Sequence, residues 1–383
     1  MVDGEKFFLD EKQINTNMTS YFLSVVLSAL TVLQCYSQDK NLALVSPAGE
    51  DAIISYFHQY PDSPDGKKLV FTIFKNDDKS DIVVKDLQTG EFFTINTVAG
   101  VQRHSGAYPI WIDNETLAYD SNKDNIIYIH NIYTDQVDQY EGSQISDYSS
   151  VNHKILYKSK GKNKADKHVY ALDLNTKTTA PLISIDDVVH LKEEMDTDIP
   201  VSGWNFDHPY WSPDGKKVMF QIKAKLKTKK GGTKKREAYF LFADADGSNI
   251  SFAGPKPMHV QWWDNETVFG FETDGEHHMN LHDLEGKIIE EDLAGHGNHG
   301  TVSPNREWIV SDTWYRTNPI QVLLYKKGET YPRKVLFEQP DVVNGKDFWD
   351  IHSHAHPAFS RDGTKVYFNG QAKDGLSKVW CYD

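Results

Sequence analysis

A short turn motif recurs along the chain, and each copy precedes an apolar, strand-like run. Copies with the pattern Ser-Pro-Asp-Gly, or a close variant of it, begin at Ser63, Ser212, Ser303 and Ser360. A second form, Trp-x-Asp-Asn-Glu-Thr, begins at Trp111 and Trp262, and a degenerate copy covers residues 149–157. Asp, Asn, Pro and Gly favour tight turns, and alternating apolar residues favour strands. Recurrence every ~40–60 residues predicts an array of equivalent units.

Each unit contains short strands, and the sequence predicts no helix within it. A further apolar strand ending in a polar turn follows most copies, as at 82–90, 169–176, 239–247 and 281–286. One propeller blade needs about 40 residues, so seven units predict an all-β, seven-bladed β-propeller over residues 39–383. The last unit is one strand short at Val379–Asp383, and Leu42–Val45 is expected to complete it. The alternative, a pair of β-sandwiches, would not repeat this turn at this period.

The charge of the chain limits its partners. Its formal net charge is −14, whereas a nucleic-acid-binding protein usually carries a basic surface, so no nucleic-acid partner is predicted. An anionic ligand remains compatible, because a local basic patch can lie on an acidic protein. The segment from Lys223 to Arg236 is such a patch, with eight lysines and arginines. It predicts a long hairpin tip, which is either a solvated loop or a basic finger that attracts a polyanion.

The N-terminal region resembles an export signal. Residues 18–33 carry no charge and are largely apolar, so we predict a signal peptide over 18–38, with translation starting at Met18 and residues 1–17 as an upstream extension. A short membrane anchor or a buried helix is the alternative, although a membrane span needs ~20 residues. Cys35 would allow a lipid anchor, and no other membrane association is expected. The protein is therefore predicted to be secreted or periplasmic, and to act as a monomer.

Histidines recur with the turn motif. The positions four residues before the turn hold Gln59, Tyr108, His208, His259, His299 and His356. In a propeller this segment enters the innermost strand beside the central channel, so the four histidines would converge at one mouth of the channel. A single histidine is more often structural, but four at one repeat position are hard to explain by packing.

Converging imidazoles can bind a divalent metal ion. His299, His354 and His356 form the preferred ligand set, and His352 is a spare ligand on the same side of an extended segment. Zinc and manganese both suit such a site. The alternative is acid–base chemistry by the same residues without a metal.

These residues resemble a known family, the β-propeller polysaccharide lyases. His354-Ala355-His356-Pro357-Ala358-Phe359 is similar to the His-x-His-Pro-x-Phe segment of oligogalacturonate lyases, and residues 298–304 are similar to the segment of their preceding metal histidine. The repeats alone also resemble TolB-like propellers. The family implies a metal ion, often manganese, bound by three histidines and a glutamine. Ile351 occupies the glutamine position here, so that ligand is absent or replaced by His352, and the polymer is left open between ulvan and oligogalacturonate.

The resemblance implies β-elimination of a uronic-acid-containing polysaccharide or oligosaccharide. Such a lyase neutralises the C5 carboxylate, removes the C5 proton and protonates the leaving oxygen at C4. The catalytic candidates are His208 or His259 as the base, Tyr108 or Tyr210 as the acid, and His104. The substrate-binding candidates are Arg103, Arg316, Gln59 and His58. Each of these residues also has a structural explanation, such as packing, a surface ion pair or a loop cap.

A propeller without enzymatic activity is the rival hypothesis. A TolB-like periplasmic scaffold or a glycan-binding protein would need neither the histidine cluster nor a metal ion. A propeller that accompanies a peptidase is disfavoured, because the sequence has no Gly-x-Ser-x-Gly elbow with an attached α/β-hydrolase domain.

Export gives the first testable prediction. Protein secreted by its native host should begin between Cys35 and Asp39, because signal peptidase removes the apolar segment. N-terminal sequencing of the mature protein measures this directly, and a mature chain that still contains Met18 would contradict it.

Overall fold

The computed structural model describes residues 40–383 except 77, 159–166, 229, 231, 255–256, 273–276, 315–316, 318, 340–353 and 373–374. The predicted signal peptide, Cys35, Arg316 and His352 lie outside the described residues. Within them, 28 strands form seven four-stranded antiparallel sheets. The predicted all-β, seven-bladed propeller is therefore confirmed, and residues Ala43–Asp383 form one compact unit.

The blades follow one another along the chain, and each is listed here from its innermost strand outward. Blade 1 contains β2 (Asp51–Ile53), β3 (Lys68–Asn76), β4 (Lys79–Asp86) and β5 (Phe92–Ala99). Blade 2 contains β6 (Ile110–Trp111), β7 (Thr116–Ser121), β8 (Ile126–Asn131) and β9 (Val137–Glu141). Blade 3 contains β10 (Ile145–Ser149), β11 (Lys154–Lys158), β12 (His168–Asp173) and β13 (Thr178–Ser184). Blade 4 contains β14 (Trp204–Trp211), β15 (Lys217–Lys227), β16 (Thr233–Asp244) and β17 (Ser251–Gly254).

The remaining three blades have the same order. Blade 5 contains β18 (Met258–Trp262), β19 (Thr267–Phe271), β20 (Met279–Asp283) and β21 (Ile288–Ala294). Blade 6 contains β22 (Gly300–Val302), β23 (Trp308–Asp312), β24 (Ile320–Lys326) and β25 (Lys334–Gln339). Blade 7 contains β26 (Ala358–Phe359), β27 (Val366–Gln371), β28 (Ser377–Tyr382) and β1 (Leu42–Leu44).

The recurring turn has the same hydrogen bonds in its Ser-Pro-Asp-Gly copies. Ser63 Oγ donates to Asp65 Oδ1 at 2.6 Å and accepts from the backbone N–H of Lys68 at 3.0 Å. Gly66 adopts the left-handed conformation, with φ 68°. Equivalent Ser–Asp or Ser–Asn pairs close the turns that begin at Ser212, Ser303 and Ser360. Local side-chain chemistry thus defines the start of the second strand in these blades.

The second strand of a blade is buried on both faces, which explains its unbroken apolar character. In β3, Leu69 and Phe71 pack in a cluster with Tyr367 of blade 7. Val70, on the opposite face of β3, packs in a cluster with Trp111 of blade 2. Blade 1 therefore shares its core with the blades on either side of it.

Polar side chains on second strands bind the entry segment of the next blade. Thr72 Oγ1 accepts from the backbone N–H of Ala107 at 3.2 Å. Asp120 Oδ2 accepts from the N–H of Ile145 at 2.9 Å, and Asn369 Oδ1 accepts from the N–H of Ile54 at 2.8 Å. Asp312 Oδ2 in the same way accepts from the N–H of His356 at 3.3 Å. These bonds satisfy buried backbone donors and fix where each channel-facing segment begins.

One region differs from the all-strand prediction. A four-residue helix, α1 (Ile185–Val188), follows β13 because Ser184 and Asp187 form a reciprocal capping box. Two short 3₁₀ turns follow at Val189–Lys192 and Val201–Gly203. Nowhere in the described part of the chain does a helix have the length and apolar character needed to cross a bilayer. The predicted long hairpin is present, since β15 and β16 pair from Lys217 out to Lys227.

The N-terminal strand completes the last blade, as predicted. Strand β1 is the outermost strand of blade 7 and pairs with β28. The Val45 N–H donates to the Val379 carbonyl at 2.9 Å, and the Val379 N–H donates to Ser46 Oγ at 3.1 Å. The two ends of the described chain therefore hold one sheet together.

Removing this strand should destabilise the whole propeller. A chain that begins at residue 48 loses β1 and leaves β28 as an unpaired edge. We expect its Tm to fall by about 1.5–3 °C relative to a chain that begins at residue 40, which corresponds to a loss of about 1–2 kcal/mol for a domain of this size. Thermal unfolding followed by circular dichroism measures this, and equal Tm values would show that β1 does not stabilise the ring.

Candidate active site

Four of the aligned channel positions share an unusual backbone conformation. Tyr108, His208, His259 and His356 have positive φ values of 48°, 47°, 52° and 44°. Positive φ is uncommon outside glycine and costs roughly 1–3 kcal/mol per residue. A strain that recurs at one repeat position indicates a shared purpose. It turns the side chains at these positions away from the sheet register.

Two of these positions lie in β-bulges of the innermost strand. The register of β14 against β15 shifts between Asp207 and Tyr210, and that of β18 against β19 shifts between Met258 and Gln261. His208 and His259 occupy the unpaired segments. Bulges are over-represented beside active sites because they re-aim a side chain, and here both rings line the same cavity.

Tyr56 lies at the centre of the histidine cluster, although the sequence analysis did not identify it. Residues 54–61 leave the sheet between the Ile53–Thr72 and Asp62–Leu69 pairs. The Tyr56 ring stacks on His208 at a centroid distance of 5.4 Å, and His356 approaches its edge at 4.7 Å. The ring also contacts His58, His104, Tyr108 and His299. In the sequence, the run of ring-bearing residues Tyr56-Phe57-His58 was the only pattern that indicated this segment.

Two cavities adjoin this segment. The larger, which we call the histidine cavity, has a volume of about 1880 Å³, and its lining includes Tyr56, His104, Tyr108, His208, His259 and His299. The smaller, the aromatic cavity, has a volume of about 430 Å³, and its lining includes Gln59, Tyr60, Tyr210, Trp211, Trp262 and Phe359. His58 lines both cavities. The predicted site residues are therefore divided between the two.

A possible metal site lies beside the histidine cavity. One ring nitrogen from each of His104, His354 and His356 lies within 4.8 Å of the others. His104 joins two of the predicted ligands here, and the third predicted ligand, His299, lies close by, with its ring centroid 4.5 Å from that of His356. Gly106, beside His104, has φ 63°, and a Cβ there would collide with Thr72. Glycine therefore permits the tight turn that presents His104.

The chemistry of this trio fits a divalent metal. Burial lowers the pKa of His104 to about 3, with a further contribution from His299. Burial and the neighbouring histidines lower the pKa values of His354 and His356 well below the usual value. Both ring nitrogens of His356 are buried and have no hydrogen-bond partner among the described residues. A neutral imidazole is the form in which histidine binds metals, and His356 has both ring nitrogens available for this.

His299 is oriented by a buried carboxylate. Its Nδ1 lies 3.0 Å from Asp312 Oδ2, and its backbone N–H donates to Asp312 Oδ1 at 2.8 Å. Burial raises the pKa of Asp312 to about 7, although its hydrogen bonds from His299 and His356 oppose this shift. A carboxylate behind an imidazole fixes the orientation of the ring. The sequence did not indicate Asp312, because its contacts with His299 and His356 span 13 and 44 residues and appear only in the folded chain.

The two predicted bases have different surroundings. His259 Nδ1 donates to the Asn298 carbonyl at 2.7 Å, so the neutral ring carries its lone pair on Nε2. Burial, followed by His299, lowers its pKa well below the usual value. His208 Nδ1 instead lies 2.9 Å from the Tyr210 hydroxyl, and its Nε2 lies 3.4 Å from Asp207. The His208 ring therefore lies between the Asp207 carboxylate and the Tyr210 hydroxyl.

The two tyrosines predicted as proton donors line different cavities. Tyr108 lines the histidine cavity, whereas Tyr210 lines the aromatic cavity. Tyr56 also lines the histidine cavity, and burial raises its pKa well above the usual value. A phenol that stays protonated can donate a proton, so Tyr56 and Tyr108 are the tyrosines placed to do so in this cavity.

The predicted substrate-binding residues are only partly brought together. Arg103 lines the histidine cavity but forms an ion pair with Asp51. His58 Nε2 donates to the Ser146 carbonyl at 2.6 Å, and Gln59 Nε2 donates to the same oxygen at 3.2 Å. Two lysines also line the histidine cavity: Lys223, from the predicted basic segment, and Lys158, which the sequence did not indicate.

Comparison with known proteins supports the fold. No protein-family model matches the sequence, and no curated protein matches it significantly. Among solved structures, an oligogalacturonate lyase in complex with manganese superposes with a TM-score of 0.63 at 14% identity, covering 91% of this chain and 94% of that one.

Two further structures extend this comparison. An oligogalacturonate lyase from Vibrio parahaemolyticus has a TM-score of 0.63 at 15% identity, covering 89% of this chain and 93% of that one. A prolyl endopeptidase has a TM-score of 0.53 at 12% identity, covering 97% of this chain and 56% of that one. At these identities the similarity establishes a shared seven-bladed propeller fold and leaves the activity to be argued from the site.

The trio should bind one divalent ion. We expect isothermal titration with zinc or manganese to give one site per chain, and His104→Ala to weaken it on the order of 100-fold or more, since outer partners of metal ligands alone are worth 10–100-fold. His104 is half-buried and suits this test, whereas His356 is fully buried, so its removal would also cost packing. His190→Ala, an exposed histidine, is the control. Equal affinity in His104→Ala would exclude His104 as a ligand.

Proposed function

We propose that this protein is a polysaccharide lyase that cleaves a uronic-acid-containing polysaccharide or oligosaccharide by β-elimination. The observation that carries the proposal is the convergence of neutral histidines and two protonated tyrosines on one cavity of about 1880 Å³. A structural role does not require several strained histidines at equivalent positions. A lyase needs a neutral base and a proton donor side by side, and this cavity provides both.

Removal of the C5 proton is assigned to His259, with His208 as the other candidate. The Nε2 lone pair of His259 is set by the hydrogen bond from Nδ1 to Asn298, so the ring can accept a proton without changing tautomer. Its half-buried ring lines the cavity, whereas His299 and His356 are almost completely buried. A base must reach the substrate, which favours His259 over those two residues.

Protonation of the leaving oxygen is assigned to Tyr56 or Tyr108. Both phenols line the histidine cavity, and burial raises the pKa of each above the usual value. A phenol held in this way stays protonated until a developing alkoxide accepts its proton. Tyr210 lines the other cavity, and its hydroxyl lies 2.9 Å from His208 Nδ1. We therefore give it the role of orienting His208.

A divalent ion would be bound by His104, His354 and His356, with His299 beside them. Manganese or zinc in this place would act as a Lewis acid toward the negative charge that forms beside the carboxylate. The chain's own contribution is to keep these imidazoles neutral by burial and to hold the adjoining backbone through Asp312.

The substrate is proposed to be ulvan, oligogalacturonate or a related uronate, encountered after export to the periplasm or the medium. The support for this class comes from the fold shared with oligogalacturonate lyases and from the cationic side chains in the cavity. The rival hypothesis, a glycan-binding or scaffold propeller, makes a different prediction, because it requires no turnover of any uronate.

Activity can be tested on a panel of ulvan, pectate and alginate fragments by the ultraviolet absorbance of the new C4–C5 double bond. We expect turnover of at least one uronate polymer, and a loss of roughly 10²–10⁴-fold in kcat for His259→Ala and for Tyr56→Phe, the range typical of a missing general base or acid. His190→Ala is the matched control. A folded wild-type protein that cleaves none of them, with and without zinc or manganese, would favour the binding-protein alternative.

A further inference from the structure

Two lysines in the histidine cavity share one carboxylate. Lys158, at the end of β11, and Lys223, in β15, each form a direct ion pair with Asp207. The three side chains are 17%, 20% and 17% exposed respectively, so they lie at the cavity wall, largely shielded from bulk water. Two ammonium groups against one carboxylate leave an excess positive charge beside His208 and His259.

The local pKa shifts agree with this charge balance. Burial alone would raise the pKa of Asp207, but interactions with His208, Lys158 and Lys223 bring it well below the usual value. Asp207 is therefore ionised, and its single charge cannot neutralise both lysines. Burial lowers the pKa of Lys223, and Asp207 opposes that shift.

A second pair of cations continues from this point along the hairpin. Lys225 and Arg236 are directly opposite each other in the β15–β16 ladder and both line the histidine cavity. Neither has an ion-pair partner among the residues that the structure describes. Like charges directly opposite on paired strands are destabilising. A bound anion between Lys225 and Arg236 would offset this repulsion.

The acidic groups nearby do not remove the excess. Glu237, the neighbour of Arg236, already pairs with Lys235 and accepts from Tyr239 at 2.6 Å. Glu194 and Asp196 also line the cavity, from the segment after α1, but among the described residues neither lies within ion-pair distance of Lys158, Lys223, Lys225 or Arg236. A bound anion is therefore expected on the side of the cavity formed by β11 and β15.

We infer that Lys158 and Lys223 form a carboxylate-binding subsite, and that Lys225 and Arg236 extend it along the hairpin for an anionic oligosaccharide of several residues. Alternate residues of one strand lie on one face, so Lys223 and Lys225 are about 7 Å apart along β15. The inference rests on the proposed function in one respect, namely that the ligand is a uronate. It adds to the proposed function a dependence of affinity on oligosaccharide length and a defined set of subsites, separate from the predicted carboxylate ligand Arg103, whose guanidinium pairs one-to-one with Asp51.

Direct binding tests this separately from catalysis. Isothermal titration of the His259→Ala protein with digalacturonate and tetragalacturonate should show tighter binding of the tetramer. Adding Lys223→Met should weaken both ligands by about tenfold or more, as for loss of a charged hydrogen bond. Adding Lys225→Met and Arg236→Met should weaken the tetramer much more than the dimer. Lys216→Met, at an exposed turn, is the control.

Three comparisons make the result decisive. Lys223→Arg should retain most of the affinity, which separates a lost charge from a damaged fold. Methyl-esterified tetragalacturonate should bind weakly, because it lacks the carboxylate charge. A tetrasaccharide that carries sulfate groups but no carboxylate would overturn the carboxylate assignment if it bound as well as tetragalacturonate. Unchanged uronate affinity in the Lys223→Met protein would also overturn it.

The outcome is distinguishable from failure of the proposed function. If no uronate is cleaved but the lysine variants still lose uronate affinity, the subsites stand and the lyase proposal fails. If uronates are cleaved and the lysine variants bind them as well as their parent does, the lyase proposal stands and the subsites fail. If the parent protein binds neither oligogalacturonate, the subsites are also refuted.

Discussion

The candidate site depends on a strained backbone at one repeat position. Tyr108, His208 and His259 adopt positive φ just where the chain enters the channel. A regular strand would place each side chain in the alternating register of the sheet, between blades. The left-handed residue breaks this register, so that side chains from different blades meet at one cavity. Bonds from second strands, such as Asp312 to the N–H of His356, hold the entry segments in place against the cost of that strain.

Burial then sets the chemistry of the converging side chains. Imidazoles packed around Tyr56 have little contact with water, so their pKa values fall and they stay neutral at physiological pH. The same burial keeps the Tyr56 phenol protonated. A cavity lined by neutral bases and protonated phenols is suited to accepting a proton from one atom of a sugar and donating another to a leaving oxygen. Lys158 and Lys223 retain an excess positive charge at the edge of this cavity, which matches an anionic substrate.

The sequence predicted those features that depend on local chemistry. The Ser–Asp turns that begin at Ser63 and its equivalents are closed by hydrogen bonds within a few residues. The recurrence of these four turns, with the two Trp-x-Asp-Asn-Glu-Thr copies and the degenerate copy, was sufficient to predict seven blades. The offset from each turn also located His208 and His259 at the channel. Tyr56 was missed because residues 54–61 depart from the repeat, and only contacts with other blades show where that segment goes. The proximity of His104 to His354 and His356, and the Lys158–Asp207–Lys223 group, could not be predicted for the same reason, since they join residues far apart in sequence.

The most direct test of this account is a crystal structure of the His259→Ala protein with tetragalacturonate or an ulvan oligosaccharide bound. The account predicts that one uronate carboxylate lies within hydrogen-bond distance of Lys158 and Lys223. It also predicts that the adjoining C5 faces the position vacated by the imidazole, about 3–3.5 Å from where Nε2 would lie. A sugar bound in the aromatic cavity, or on the outer face of the blades with the histidine cavity empty, would contradict it.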